Sequence, residues 1–231
     1  MDGVLLDCRD VSARYGAFRA LKGVSVSFRE GEAVALFGHN GCGKSTLLRC
    51  CVGAHKNATG SVTFAGHRVI PGAVHGNVRL GIGVVPQGRN VFKDLIVEKN
   101  LTIAGMASGD KDVDKIYELF PILRNRRRQV AGTMSGGEQQ MVAFGMALMT
   151  RPRVLLLDEP TTGLSPAASD ILLQTIATVR KSMSVGVIIV EHNIPRTLKF
   201  VDRVLVMKMG RIIADTPANQ VSGTQQLWQW F

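Results

Sequence analysis

Ala33-Val34-Ala35-Leu36-Phe37-Gly38-His39-Asn40-Gly41-Cys42-Gly43-Lys44-Ser45-Thr46 is the stretch on which the fold turns. Five apolar residues predict a buried strand, three glycines within six positions predict a tight loop, and a helical stretch begins at Lys44. Strand, loop and helix in that order make the geometry of a phosphate site, because helix N-termini present free N–H groups and a positive dipole end. The stretch satisfies the Walker A pattern. Gly38, Gly41 and Gly43 let the backbone turn closely around phosphate oxygens, with His39, Asn40, Cys42 and Thr46 completing the loop. Lys44 is placed to reach the β and γ phosphates, and the Ser45 hydroxyl to ligate Mg²⁺.

A second strand carries the complementary chemistry. Val154-Leu155-Leu156-Leu157 runs into Asp158 and Glu159, two carboxylates at the C-terminal end of a buried strand, where open α/β sheets bind ligands. In this Walker B reading Asp158 holds Mg²⁺, and Glu159 polarises the water that attacks the γ-phosphorus. Val187 to Val190 is a further apolar strand, separated from the last by a helical segment over Ala167 to Lys181, as in a parallel sheet covered on both faces. Val24 to Phe28 and Ser61 to Phe64 alternate instead, which predicts hairpins of a small antiparallel sheet. Around Val91 to Val130 the pattern turns helical, with Val113 to Phe120 at helical spacing before the run Arg124 to Arg128. The predicted fold is α/β: a single domain over 1–231, in which 1–90 and 134–231 form a core with an antiparallel β lobe and 91–133 an inserted helical lobe. A short strand, Arg211 to Ala214, leads to a polar tail ending in Trp228, Gln229, Trp230 and Phe231.

Composition narrows the class. The 231 residues are 45% hydrophobic and 20% charged, enough to bury one sizeable core without the signature of disorder. The longest apolar runs fall far short of the ~20 residues a bilayer span needs, and Met1 to Asp10 carries acidic residues where a secretory leader is basic and apolar, so a cytoplasmic location is expected. Cys8, Cys42, Cys50 and Cys51 lack CxxC spacing and read as reduced thiols. A formal charge of +10 invites a nucleic-acid reading, yet only Arg124 to Arg128 is dense and no aromatics interleave it. A solvated helix face or a surface near anionic lipid accounts for it better, and no nucleic-acid partner is expected.

Further motifs carry a resemblance. Met134-Ser135-Gly136-Gly137-Glu138-Gln139-Gln140 is similar to the LSGGQ signature of ABC transporter ATPases, with Met for Leu and Glu for Gln. A hydroxyl and glycine amides at a helix N-terminus make a second phosphate receptor, suited to a nucleotide held by another subunit. Glu138 departs from the pattern, and a carboxylate there repels a triphosphate unless it points away or is paired. The resemblance covers nearly the whole chain and implies further roles. Gln87, in Val84-Val85-Pro86-Gln87-Gly88, matches the Q-loop that contacts Mg²⁺ and the attacking water; His192, after Val190-Glu191, matches the switch histidine at the γ-phosphate. Tyr15, ahead of the first hairpin, matches the aromatic that stacks on adenine, and Thr162-Gly163-Leu164-Ser165 occupies the D-loop position with Ser165 where many relatives carry Asp.

The resemblance implies ATP and Mg²⁺ as ligands and a sandwich of two ATPase subunits, the partner being a second copy or a paralogue. It also implies transmembrane permease subunits, an indirect periplasmic solute-binding protein and a place on the inner face of the cell membrane. A finer likeness, carried by Tyr117 to Pro121, Arg126 to Arg128, Ala131 to Met141 and Gly163 to Pro166, is to the shorter ATPase subunit of branched-chain amino acid importers. Urea or amide importers, lipid or lipopolysaccharide exporters and non-transport ABC ATPases are the alternatives, since no residue of this chain touches the solute.

Overall fold

The computed structural model describes residues 3–88 and 90–221. The chain opens with a long antiparallel hairpin, β1 (Val4–Tyr15) and β2 (Phe18–Arg29), then enters the central strand β3 (Ala33–Phe37) and, through the glycine loop, helix α1 (Lys44–Cys51). β4 (Thr59–Phe64) and β5 (His67–Arg68) extend the hairpin into a four-stranded sheet of order β2-β1-β4-β5. After helix α2 (Val74–Arg79) and strand β6 (Ile82–Val85) come α3 (Val97–Gly105), α4 (Asp114–Leu119), α5 (Pro121–Asn125) and a 3₁₀ turn over Ala131–Thr133. α6 (Gly136–Met149), β7 (Val154–Asp158), α7 (Pro166–Met183), β8 (Gly186–Val190), α8 (Ile194–Thr197), β9 (Arg203–Lys208) and β10 (Arg211–Pro217) complete the main elements.

The second sheet has the order β10-β9-β3-β8-β7-β6. Its strands β9, β3, β8, β7 and β6 are parallel, and β10 is an antiparallel edge whose residues alternate in exposure. Every residue of β3, β7 and β8 is buried, as the unbroken apolar runs demand of strands covered on both faces. The two-residue period divides them cleanly. Ala35, Phe37, Leu155, Leu157, Val187 and Ile189 join α6 and α7 in one core, while Val34, Leu36, Leu156, Ile188 and Val190 pack with Leu47 and Leu48 of α1 and the inner face of the antiparallel sheet.

The helices between 97 and 133 are closed at their base by an antiparallel bridge, Ile96 to Val130. They do not own a separate core. Val97, Leu101, Ile116, Phe120 and Leu123 share the α6 cluster with Val142, Phe144 and Leu148, and the Phe120 and Phe144 rings meet edge-on at 6.0 Å. α6 therefore stands between the helical lobe and the sheet. Helix α2 offers only Val74 and Val78 at helical spacing, with Val78 packed on the core, too short a period to mark a helix in the sequence. A buried polar clamp also holds it: Asn77 accepts from Ile70 N and donates to Val52 O and Ile70 O. The strand expected over Arg211 to Ala214 extends to Pro217, and the expected Trp228 to Phe231 tail lies outside the described residues.

Candidate functional site

Register brings the site together. β3 and β8 pair Leu36 with Val190, β7 and β8 pair Asp158 with Val190, and β6 and β7 pair Val85 with Leu157. The parallel strands thus end level, and their C-terminal exits deliver the loop Gly38 to Gly43, the pair Asp158 and Glu159, Glu191 with His192, and Gln87 to one edge.

The glycine loop is shaped by close approaches. At Gly38 φ is 148° and a Cβ would stand 2.3 Å from Met207 O; at Gly43 φ is 112° and a Cβ would stand 2.7 Å from Ala20 O. Gly43 is the N-cap of α1 and brings no capping side chain, so the first turn offers its amides to the cleft. Lys44 is buried, its ammonium donating to Gly38 O at 2.6 Å and His39 O at 3.1 Å. The Ser45 hydroxyl donates to Asp158 Oδ1 at 2.9 Å. Burial raises the Asp158 carboxyl above its ordinary range, the bond from Ser45 opposing that shift and the Glu159 charge adding to it. Cys42 is buried on the far side of the loop, where desolvation pushes its thiol up, so its contribution to the site is its backbone.

Glu159 is the convergence point. Its backbone sits in the left-handed region at φ 49° with N–H bonded to Val190 O at 2.9 Å. Its Oε2 accepts from Gln87 Nε2 at 2.9 Å and from Thr162 Oγ1 at 3.2 Å, and its Oε1 lies 2.9 Å from His192 Nε2. A bracket behind it escaped sequence reasoning: the buried Glu191 accepts from Thr161 N and Oγ1 and from His192 N, tying the loop after β7 to the end of β8. A buried acid beside a candidate histidine was the available signal.

Tyr15 is not ahead of the hairpin but is the last residue of β1, paired with Phe18 across the turn. The twelve-residue strand carries it to the hairpin tip, where it lines a cleft of about 370 Å³ with Asn40, Gly41, Gly43, Lys44, Ser45, Thr46, Gln87 and Glu159. Phe18 and Ala20 line the same cleft and were not singled out by the sequence. An adjoining cavity of about 580 Å³ is lined by Gly38, His39, Asn40 and His192. Tyr15 is half exposed, its hydroxyl accepting from Arg49 Nη1 at 3.3 Å and its ring edge-on to His55 at 4.9 Å.

Ser135, Gly136, Gly137 and Glu138 line neither cavity. They form the N-terminus of the fourteen-residue α6, with Ser135 as N-cap in a reciprocal capping box. Glu138 Oε2 accepts from Ser135 N and Oγ, both at 2.9 Å, and Oε1 lies 3.3 Å from Arg126 Nε. The carboxylate is turned back and paired. Arg124, by contrast, pairs with Asp114 at 3.2 Å and lies over the Tyr117 ring.

Hard oxygen donors at Ser45 and Asp158, with the Gln87 amide close to Glu159, suit a small divalent cation that keeps several waters and phosphate oxygens.

A glycine loop between strand and helix, facing an acidic strand end across a parallel sheet, defines a P-loop nucleotide-binding fold. Residues 21–162 match the ABC transporter family model, so the chain belongs to the ABC transporter family and is an ATPase of it. It is 45% identical over 214 residues to the high-affinity branched-chain amino acid transport ATP-binding protein BraG of Pseudomonas aeruginosa, covering 90% of this chain and 91% of that one. The probable branched-chain amino acid transport ATP-binding protein LivF of Archaeoglobus fulgidus is 35% identical, with 91% of each chain covered. Among solved structures, MJ1267, an ATP-binding cassette of an ABC transporter, superposes with a TM-score of 0.87 at 26% identity, covering 99% of both chains.

Proposed function

We propose that ATP occupies the cleft between Tyr15 and the Gly38 to Thr46 loop and that Glu159 is the general base for attack of water on its γ-phosphate. The carrying observation is the Glu159 carboxylate held by Gln87, Thr162 and His192 in the cleft that Lys44 lines. Tyr15 stacks on adenine, the amides of the loop and of α1 bind the phosphates, and Lys44 leaves its resting carbonyls for the β and γ oxygens. Ser45, Asp158 and Gln87 hold Mg²⁺, which when bound neutralises charge developing on the phosphates. Glu159 takes the proton of the attacking water, and His192 is placed to donate to the γ-phosphate as its charge grows.

Ser135, Gly136 and Gly137 serve a nucleotide bound by a second ATPase, self or paralogue, in a two-ATP sandwich, a reading supported by their lining neither of the two cavities around Lys44 and His192. Closing of that dimer on ATP, and its release after hydrolysis, moves the helical lobe (91–133) and the permeases docked to it. The chain works at the inner face of the cell membrane; no helix among the described residues is long and apolar enough to cross one. The transported solute is a branched-chain amino acid delivered through a periplasmic binding protein. The likeness to BraG and LivF supports this over urea, amide or lipid transport. The test is uptake of labelled leucine, isoleucine and valine, with urea alongside, in cells with and without the chain. Loss of branched-chain uptake supports the reading; loss of urea uptake alone contradicts it.

A further inference from the structure

The arginine run is the densest charge in the sequence, and the resemblance gives it no role. One of its members reaches the signature. Arg126 Nε stands 3.3 Å from Glu138 Oε1, and Arg126 Nη1 donates to Gln129 Oε1 at 3.3 Å; Gln129 Nε2 in turn donates to Thr133 Oγ1 at 3.0 Å. A chain of polar contacts therefore runs from Arg126 along the segment leading into Ser135. Glu138 is 15% exposed on its side chain, against 41% for Arg126, so the acid is the more desolvated partner and the one that needs a counter-charge.

Glu138 supports and threatens the same site. It caps Ser135 and so helps to build the N-terminus of α6. Yet it places a full negative charge in the first turn, where the helix dipole and the amides of Gly136 and Gly137 otherwise favour an anion. With the guanidinium beside it, the pair is neutral and the N-terminus keeps its attraction for phosphate.

We infer that Arg126 is a positioning residue of the signature: it holds Glu138 in the capping box and cancels its charge, so that α6 accepts the γ-phosphate of the facing subunit's ATP. The inference rests on the proposed reading of the signature as a phosphate receptor. Because Arg126 acts on docking of the second phosphate surface and touches none of the groups around Glu159, its loss acts on the ATP concentration needed for closure more than on turnover at saturation.

The experiment is steady-state hydrolysis against ATP concentration, with ATP-driven dimerisation followed in parallel, for the full chain alone and with its partner ATPase. Arg126→Gln raises half-maximal ATP about 5- to 10-fold, the scale of one unscreened charge near another at the protein surface, with kcat within about twofold. Arg126→Lys recovers most of that loss, and so does Arg126→Gln combined with Glu138→Gln. Raised salt narrows the gap between Arg126→Gln and the parent, because an exposed charge is screened. Should Arg126→Gln not fold, Glu138→Gln alone carries the test: half-maximal ATP falls below the parent's.

An active parent with Arg126→Gln unchanged, or with the double variant as impaired as the single, overturns the inference and leaves the sandwich standing. Unchanged or raised half-maximal ATP in Glu138→Gln does the same. A parent that neither hydrolyses nor closes, alone or paired, overturns the sandwich reading and this inference with it.

Discussion

His192 Nε2 lies 2.9 Å from Glu159 Oε1, joining the end of β8 to the end of β7 across the parallel sheet. The contact holds a residue whose backbone already sits in a sparsely populated region, at φ 49°. Its carboxylate also bonds Gln87, on the strand exit at the other side of β7. These contacts orient the carboxylate proposed as the general base.

Asp158 shows the cost of that readiness. Its folded carboxyl is raised by burial above the ordinary value of 3.8, so its contribution to stability is fully present below that value and is lost as pH rises through the folded pKa. Asp158→Asn keeps an acceptor for the Ser45 hydroxyl and removes the buried charge. The nucleotide-free variant should melt higher than the parent at neutral pH, by roughly 2–4 °C per kcal/mol gained. The gain should shrink as the buffer is taken toward pH 4, and Mg²⁺-dependent hydrolysis should be lost. Paired thermal scans at the two pH values check it.

Tyr15 tests the base site separately from the phosphate site. Tyr15→Ala should lower ATP and ADP affinity by about 1–3 kcal/mol, the range for loss of aromatic stacking on a base, while leaving tripolyphosphate binding within twofold. Titration calorimetry on the isolated chain distinguishes the two ligands. Equal losses for both would trace the ring's effect to α1, whose Arg49 bonds the Tyr15 hydroxyl.

Asp110 is a structural test of the helical lobe. Its buried carboxylate bonds Lys115 and Arg151, which connects the segment after α3 to the end of α6. Burial alone would raise it, but the hydrogen bonds from Arg151 and Lys115 outweigh that and hold it well below the usual carboxylate range. Asp110→Asn should cost about 1–2 kcal/mol, less than breaking a fully buried pair, because Arg151 is exposed and Lys115 only partly buried. Because the folded pKa is depressed, the parent's advantage is present above pH 3.8 and is lost as pH falls through the folded value. Denaturant melts of parent and variant at pH 7 and near pH 3 measure it.

Much of this arrangement was legible in the sequence. Val34, Leu36 and Leu156, and Ala35, Phe37 and Leu155, are buried on opposite faces because unbroken apolar runs fit only a doubly covered sheet. The loop from Gly38 to Thr46 was equally plain, since strand, glycine turn and helix are local. What escaped depends on long-range polar contacts. Glu191 gains its partner Thr161 thirty positions away, and Asn77 pins α2 through Val52 and Ile70 where a single apolar pair, Val74 and Val78, is too short to mark a helix. Tyr15 was placed too early because strand length, unlike strand existence, is set by pairing with β2. Glu138 could be recognised as a departure, but only the fold brings Arg126 to it.

The most direct measurement is Mg²⁺-dependent ATP hydrolysis by the parent and by Glu159→Gln, with molecular size followed as ATP is added, for the chain alone and with a paralogous ATPase. The parent should turn over ATP, and the variant should be slowed by about 10² to 10⁴, the usual worth of a general base, while still binding ATP and accumulating as a closed dimer. A Glu159→Gln variant that hydrolyses within a few fold of the parent would contradict the role of Glu159, and ATP binding with no dimer in either form would contradict the sandwich.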